Sequence, residues 1–497
     1  MSKRTLLLLA SVVSFCAVSF ANAQTLTVGA AVFPRSLQTG QSSFAALSLV
    51  SQTNEALVGR DDAGTLRPGL AERWEQVDDT TTRFYLRQGV KWHDGEDFNA
   101  DDVVFTIERI VDPKNAYGLL ARIGQVAGAT KVDDYTVDIK TKSIFPTLVR
   151  GLSDIVMEPA HYYEAKGAEE VVKHPIGTGP FVYGNYVPGD RYELTANPDY
   201  WGGAPAIEKL VIREIPEAAT RVASLIAGET QIIEEVPVDL ISEIEASGRA
   251  EINEITTSAG LILTFDVRKA PFDNPLVREA FDYAIDKPAI FEAMLQSKGE
   301  LLDGQLLTKS TLGYNPNLSA RPYDPEKAKA LLAEAGFDFS TPVPISTQSG
   351  KYTSDVDIVN AVTGMLGDIG VRATVNVVEG GVWSQMTAAK DYGPIYMIGW
   401  YSLGDADFAS VWFTEIGKRS VWINPDYDRL FTEARSTNDE AERVAKYHEM
   451  MEIMHRENPA MFLFGLPSIY ATGKKIEGFT AASDKLLRLA TTKIVQD

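Results

Sequence analysis

Arg83-Phe84-Tyr85-Leu86-Arg87-Gln88-Gly89-Val90-Lys91-Trp92-His93-Asp94-Gly95 reads as a strand running into a turn. Phe84 and Leu86 fall on one face at the period of two that a half-buried strand requires. Asp94-Gly95 is a tight-turn pair. Four residues later Asn99 can cap a helix, with Asp102 in its first turn and Val103, Val104, Ile107 and Val111 along one face. A strand, a turn and a helix in thirty residues predict a chain that mixes both element types, and the same alternation recurs outward from here.

Upstream, Leu26-Thr27-Val28 opens a strand. Downstream, the clearest helix spans Asp324 to Ala335, with Asp324 as cap, Pro325 in the first turn and Gly336 as a left-handed stop. The class is therefore α/β or α+β. No repeat or low-complexity tract interrupts it. Gly177-Thr178-Gly179-Pro180 and Gly465-Leu466-Pro467 have the composition of joints between larger units.

The N-terminus predicts the compartment. Lys3 and Arg4 precede an apolar run from Thr5 to Phe20, and Ala21-Asn22-Ala23 is a small-x-small cleavage site. Residues 1–23 are thus predicted to be a cleavable secretory signal, too short in its apolar part to anchor the chain. Cys16, the only cysteine, leaves with it, so no disulfide, thiol nucleophile or thiolate metal site is expected. The net charge of −21 becomes about −23 once Lys3 and Arg4 are removed. Such a surface argues against nucleic acid or anionic lipid as a partner.

A search for chemistry returns little. The five histidines include no i, i+4 pair for zinc, and His448 and His455 lie two helical turns apart. No nucleophile elbow, phosphate-binding loop or dinucleotide fingerprint is present. No catalytic residue, metal or cofactor is expected. Aromatics instead concentrate in one region: Trp383, Trp400, Tyr401, Trp412 and Trp422 fall within forty residues. Flat rings with polar tips suit ligand clefts. Trp400 and Tyr401 close an apolar strand, a place where α/β proteins put binding groups.

Ordered motifs then point to a family. Pro68-Gly69-Leu70-Ala71-Glu72-Arg73-Trp74-Glu75, the Phe84–Gly95 stretch, Asn99–Thr106, Pro175-Ile176-Gly177-Thr178-Gly179-Pro180-Phe181, Asn197-Pro198-Asp199-Tyr200-Trp201, Pro271–Ala280 and Tyr323-Asp324-Pro325 with Leu331-Leu332 occur in order. Together they resemble the peptide/opine/nickel type of solute-binding protein that serves ABC importers, over essentially the whole mature chain. The resemblance implies a two-lobed periplasmic binding protein fold with a hinge and an extra inserted domain. Lobe one would be 24–54, 174–264 and 465–497, the extra domain 55–173, and lobe two 265–464. It implies a periplasmic, monomeric binder of a peptide or peptide-like solute. The partners would be inner-membrane permease subunits with cytoplasmic ATPases. Glutathione, an opine, haem or a metal chelate stand as alternative solutes, and a secreted hydrolase as a distant alternative function.

In peptide binders of this type an aspartate three residues after the Trp of G-W-x-x-D pairs with the peptide ammonium. Here Gly399-Trp400 is followed at that position by Leu403. Trp400 and Tyr401 are expected as cleft walls, with Trp383 and Trp412 supporting them. Asp405 is the expected charge partner, with Asp407 as its substitute, and Phe33 the candidate from the facing lobe. Trp400→Ala is then expected to weaken binding by ~1–3 kcal/mol with little effect on folding.

Overall fold

The Phe84 stretch forms the predicted elements. Thr81–Leu86 is a strand whose Phe84 and Leu86 are buried. It pairs antiparallel with Ala71–Asp78 and Thr136–Thr141, and Val126–Asp133 completes a four-stranded sheet. The helix Ala100–Val111 covers that sheet through Val103, Ile107 and Ile110. Val104 and Val111 are half-buried beside it, so the apolar stripe is rotated slightly from the expected one. Asn99 and Asp102 form a reciprocal capping box. The Trp92 indole donates to Asp102 Oδ2 at 3.1 Å, locking the turn onto the helix start.

The computed structural model describes residues 24–41, 43–115 and 117–495. The predicted signal, residues 1–23, lies outside them.

Two small two-stranded sheets aside, the remaining strands among the described residues join one eleven-stranded sheet. Its order is Ala373–Val377, Val343–Thr347, Ile395–Tyr401, Ala250–Phe265, Ala460–Gly473, Ile232–Ile233, Thr25–Ala30, Lys209–Glu214, Arg191–Ala196, Phe181–Val187, with Glu300–Leu301 also on Ala460–Gly473. Two strands are far longer than the rest: Ala250–Phe265 with 16 residues and Ala460–Gly473 with 14. They run antiparallel from Ala250 opposite Gly473 to Thr264 opposite Ala460. One end of this ladder carries the strands built around Thr25–Ala30, the other those built around Ile395–Tyr401.

The ladder breaks at its middle. Register shifts between Thr256 and Gly260, opposite Pro467 and Gly465. Proline has no N–H to give the ladder, and a bulge there bends and twists the pair. A Cβ on Gly260 would sit 2.7 Å from the Leu306 carbonyl oxygen, so only glycine lets that loop pack on the bend. The sequence Gly465-Leu466-Pro467 thus lies where the two halves of the sheet meet.

Each half is covered on both faces. Leu261, Leu263 and Phe265 point into a core with Phe281, Ile358 and Val362, while Ile262 points into a second with Tyr396, Trp422 and Tyr447. Two further cores flank the other half, around Leu26, Leu210 and Tyr192, and around Val222, Ile244 and Ala471. The four-stranded sheet has its own core.

The second expected joint, Gly177 to Pro180, seats that smaller unit on the large sheet. A Cβ on Gly177 would fall 1.8 Å from the Thr53 carbonyl oxygen. His93 clips the same loop: its Nδ1 accepts from the Gly177 N–H at 3.1 Å and its Nε2 lies 3.0 Å from the Gly179 carbonyl. Nδ1 is therefore the acceptor and Nε2 carries the proton. Burial holds the imidazole pKa below its ordinary value, consistent with a neutral structural ring.

Candidate binding cleft

A cavity of about 820 Å³ opens over the bend in the long ladder, with Leu466 and Pro467 among its lining residues. One wall comes from the Thr25–Ala30 half: Val32, Ser48, Glu234, Glu235, Asp239 and Lys485. The opposite wall comes from the other half: Met294, Lys351, Tyr352, Asp357, Gly399 and Tyr401. Its size is within the range of small-molecule sites, ~300–1,000 Å³.

Local structure explains each wall. Ile232–Ile233 is a buried strand that ends at Glu234, so the acids emerge at a strand end. Glu234 Oε1 accepts from the Ala31 N–H at 3.1 Å. Burial, with the charge of Glu235 beside it, pushes the Glu234 carboxyl up to about 7. Lys485 donates to Glu235 Oε1 at 2.8 Å and bonds the Tyr401 phenol. Burial alone would depress the Lys485 pKa, but Tyr401 and Glu235 outweigh it and the ammonium stays charged. Opposite, the Asp355 carboxylate gathers the N–H groups of Gly350, Lys351 and Tyr352, which fixes the loop before the helix Asp355–Asp368. Gly399 has no Cβ, so the Tyr352 ring can lie against the strand, where a Cβ would be 2.6 Å away.

The strand Ile395–Tyr401 separates the two leading aromatic candidates. Its side chains alternate between faces. Tyr401 lines the cavity, whereas Trp400 points to the other face, with its indole N–H donating to the Phe408 carbonyl and its ring 5.0 Å from Trp412. Trp400, expected as a cleft wall, does not line this cavity. Trp412 is buried in the same aromatic core, and Trp383 packs on Tyr392 and Tyr396 there. Phe33 is buried against Tyr186 in the core of the opposite half. None of these three lines the cavity.

Asp405, expected as the charge partner, is held inside the protein. It is 2% exposed and both its oxygens receive Arg443 Nη2, at 3.0 and 2.9 Å. Asp407 takes both Arg435 Nε and Nη2 at 2.6 Å. Neither carboxylate lines the cavity, and each is already held by an arginine. Leu403 is buried with left-handed backbone, φ 51°, and its carbonyl accepts from Arg150 Nη1 at 2.9 Å. The acids that line the cavity are Glu234, Glu235, Asp239 and Asp357, and in a chain this acidic the Glu234-Glu235 pair does not stand out by composition. A short apolar strand ending in Glu-Glu-Val-Pro was the available signal.

The model of the bacterial extracellular solute-binding proteins, family 5, matches residues 65–418. This chain belongs to that family. The family 5 protein is 30% identical over 453 residues to the dipeptide-binding protein of Escherichia coli (strain K12), covering 83% of each chain. It is also 30% identical over 440 residues to heme-binding protein A of Haemophilus influenzae, covering 79% of this chain and 78% of that one. The solved structure of HbpA2 from Haemophilus parasuis superposes with a TM-score of 0.84 at 26% identity, over 95% of this chain and 100% of that one. The fold is thus the two-lobed periplasmic binding protein fold, and the family 5 protein is a solute-binding component of an ABC importer. The long ladder joins the two halves of its large sheet.

Proposed function

We propose that this protein captures a peptide or peptide-like solute in the cleft over the hinge and delivers it to a membrane permease driven by cytoplasmic ATPases. The division proposed is lobe one at 24–54, 174–264 and 465–497, the extra domain at 55–173, and lobe two at 265–464. Residues 1–23 are proposed as the signal that directs the chain to the periplasm. It acts by closure rather than turnover: a ligand that touches both lobes binds the closed state better and shifts the population toward it.

The observation that carries this reading is the charge of the cavity. Glu234, Glu235, Asp239 and Asp357 outnumber Lys351 and Lys485 along its walls. An ammonium group matches the acidic excess, and a peptide or amino-acid conjugate supplies one. The dipeptide-binding relative supports the same class. Haem, the ligand named for the second relative, would meet a cavity lined by carboxylates and lysines, with no histidine among its lining residues.

Thermal-shift titration with dipeptides, tripeptides, glutathione, opines and haem tests the reading. A cognate solute at 100 times its Kd adds ~2.7 kcal/mol of stability, and mass spectrometry should recover it unchanged. A shift with haem alone, or with no peptide-like solute, would sink the proposal.

Glu234 makes binding pH-dependent in a defined direction. Its carboxyl is raised from 4.5 to about 7 in the folded protein. Between those values the folded state holds a proton that the unfolded state lacks, so stability without ligand falls as pH rises toward 7. A ligand ammonium needs the ionised carboxylate, so affinity should strengthen as pH rises through 7. It should weaken by up to ~tenfold per pH unit below that. Calorimetry from pH 5.5 to 8 should find this slope in the native protein and a flatter one in Glu234→Gln. Equal slopes would remove Glu234 from the site.

A further inference from the structure

A second cavity, of about 460 Å³, shares no lining residue with the cleft over the long ladder. Three pieces of chain enclose it. The turn after the helix Phe44–Val50 forms one side, the hairpin of Val58–Arg60 with Leu66–Pro68 a second, and the C-terminal run 486–491 a third. Leu47, Val58, Val156, Leu487 and Leu489 give it an apolar lining. Its volume falls in the ~300–1,000 Å³ range of small-molecule sites, which combine an apolar wall with a few fixed polar groups.

The charged groups on this wall are already held. Arg488 grips Asp484 through Nη1 and Nη2 at 2.9 and 2.7 Å, and donates its Nε–H to the Arg60 carbonyl at 3.1 Å. Asp62 lies 3.9 Å from the same arginine. The Glu55 carboxylate accepts from the Tyr200 hydroxyl and the Trp201 indole N–H, each at 2.8 Å, and from the Thr178 hydroxyl at 2.9 Å. Arg60 pairs with Asp154 and lies 3.0 Å from Asp484. A charged ligand would lose its hydration here and gain no unmatched counter-ion.

Two polar atoms stand apart from this matching. Arg60 Nη1 and Asp154 Oδ2 are buried without a hydrogen-bond partner, on side chains 3% and 1% exposed. Asp154 Oδ2 has the charge of Arg122 Nε at 3.4 Å, but no hydrogen bond. The open donor and the open acceptor belong to one ion pair on the cavity wall. Buried polar groups in native proteins are nearly always satisfied, so an open pair beside an apolar cavity marks a place for a guest group. A neutral head that both donates and accepts, an amide or a hydroxyl, satisfies the two together.

We infer that this cavity is a second binding site, for an uncharged amphipathic molecule. Its aromatic or aliphatic body lies against Val58 and Leu487. Its amide or hydroxyl head bonds Arg60 Nη1 and Asp154 Oδ2. The site is separate from the one that captures the transported solute, and it stands whether or not that solute is a peptide.

The test uses the full mature protein with three probes that share one ring and differ in the head: naphthamide, naphthoate and naphthylmethylammonium. Fluorescence titration at neutral pH should give one saturable site for the amide, with both ions at least about tenfold weaker. Ala490→Trp and Thr480→Trp each put an indole into the cavity, and each should weaken the amide at least about tenfold by filling its place. Thr480 is exposed, so its variant keeps the test open if the change at Ala490 disturbs folding. Tyr401→Ala, in the cleft, should leave amide binding unchanged. A crystal soaked in naphthamide should show the ring against Leu487 and the head at Arg60. No binding of the amide, equal binding of all three probes, or binding that survives both filled variants would overturn the site. So would loss of binding in Tyr401→Ala, or a soaked crystal with only ordered water in this cavity.

Discussion

Arg443→Met is expected to destabilise the protein by ~3–5 kcal/mol, the effect of stripping the partner from a buried carboxylate. Asp405 and Arg443 are 2% and 4% exposed and face each other across 2.9 Å. Asp405 also caps the short helix Ala406–Ser410 by accepting from the Asp407 N–H. Burial raises the Asp405 pKa, and Arg443 opposes that shift. Without Arg443 the acid should take up a proton at a higher pH. The deficit should therefore be largest at alkaline pH and shrink on acidification as Asp405 becomes neutral. Urea denaturation at pH 6 and pH 8.5 checks the direction. The double variant Asp405→Asn with Arg443→Met should recover much of the loss, because it leaves no unpaired charge. A ligand affinity that collapses in Asp405→Asn while the fold holds would return Asp405 to the binding site.

Trp400 and Tyr401 should behave as opposites although they are neighbours. Trp400→Ala removes a ring that packs on Trp412 and an N–H that bonds the Phe408 carbonyl. A buried Trp→Ala costs ~3–5 kcal/mol, and the half-exposed position of Trp400 brings the expectation to ~2–3 kcal/mol of stability. Affinity measured on folded protein should barely change. Tyr401→Ala should instead weaken ligand binding by ~1–3 kcal/mol, with a smaller change in folding. This reverses the expectation drawn from sequence for Trp400. A Trp400→Ala protein that melts normally and fails to bind would reinstate it.

That reversal shows where sequence reasoning holds and where it stops. The strand Thr81–Leu86, the Asn99–Asp102 box and the helix start at Asp324 were legible because their causes are local. Gly465-Leu466-Pro467 was legible as a joint because proline and glycine act on their own backbone. The aromatic cluster was visible too, and period two in Ile395–Tyr401 sends Trp400 and Tyr401 to opposite faces. Asp405 could not be read at all. Its partner is 38 residues away on the helix Glu440–Glu457, and no local pattern announces that contact. Arg150 and Leu403 are 253 residues apart and meet only through the tertiary fold.

The position of Ala460–Gly473 in the chain has a consequence for synthesis. This strand sits between Ala250–Phe265 and Ile232–Ile233, at the centre of the large sheet. It emerges about 200 residues after the strand it pairs with, a delay of roughly 10–40 s at ~5–20 residues per second. Until then neither half of the sheet can be completed, because both need the same late strand. The four-stranded sheet and its core do not need that strand, but the large sheet keeps two unpaired edges until it is made. Maturation is gated by its final segment, and a chain cut short before Ala460 should be left with two unfinished sheets.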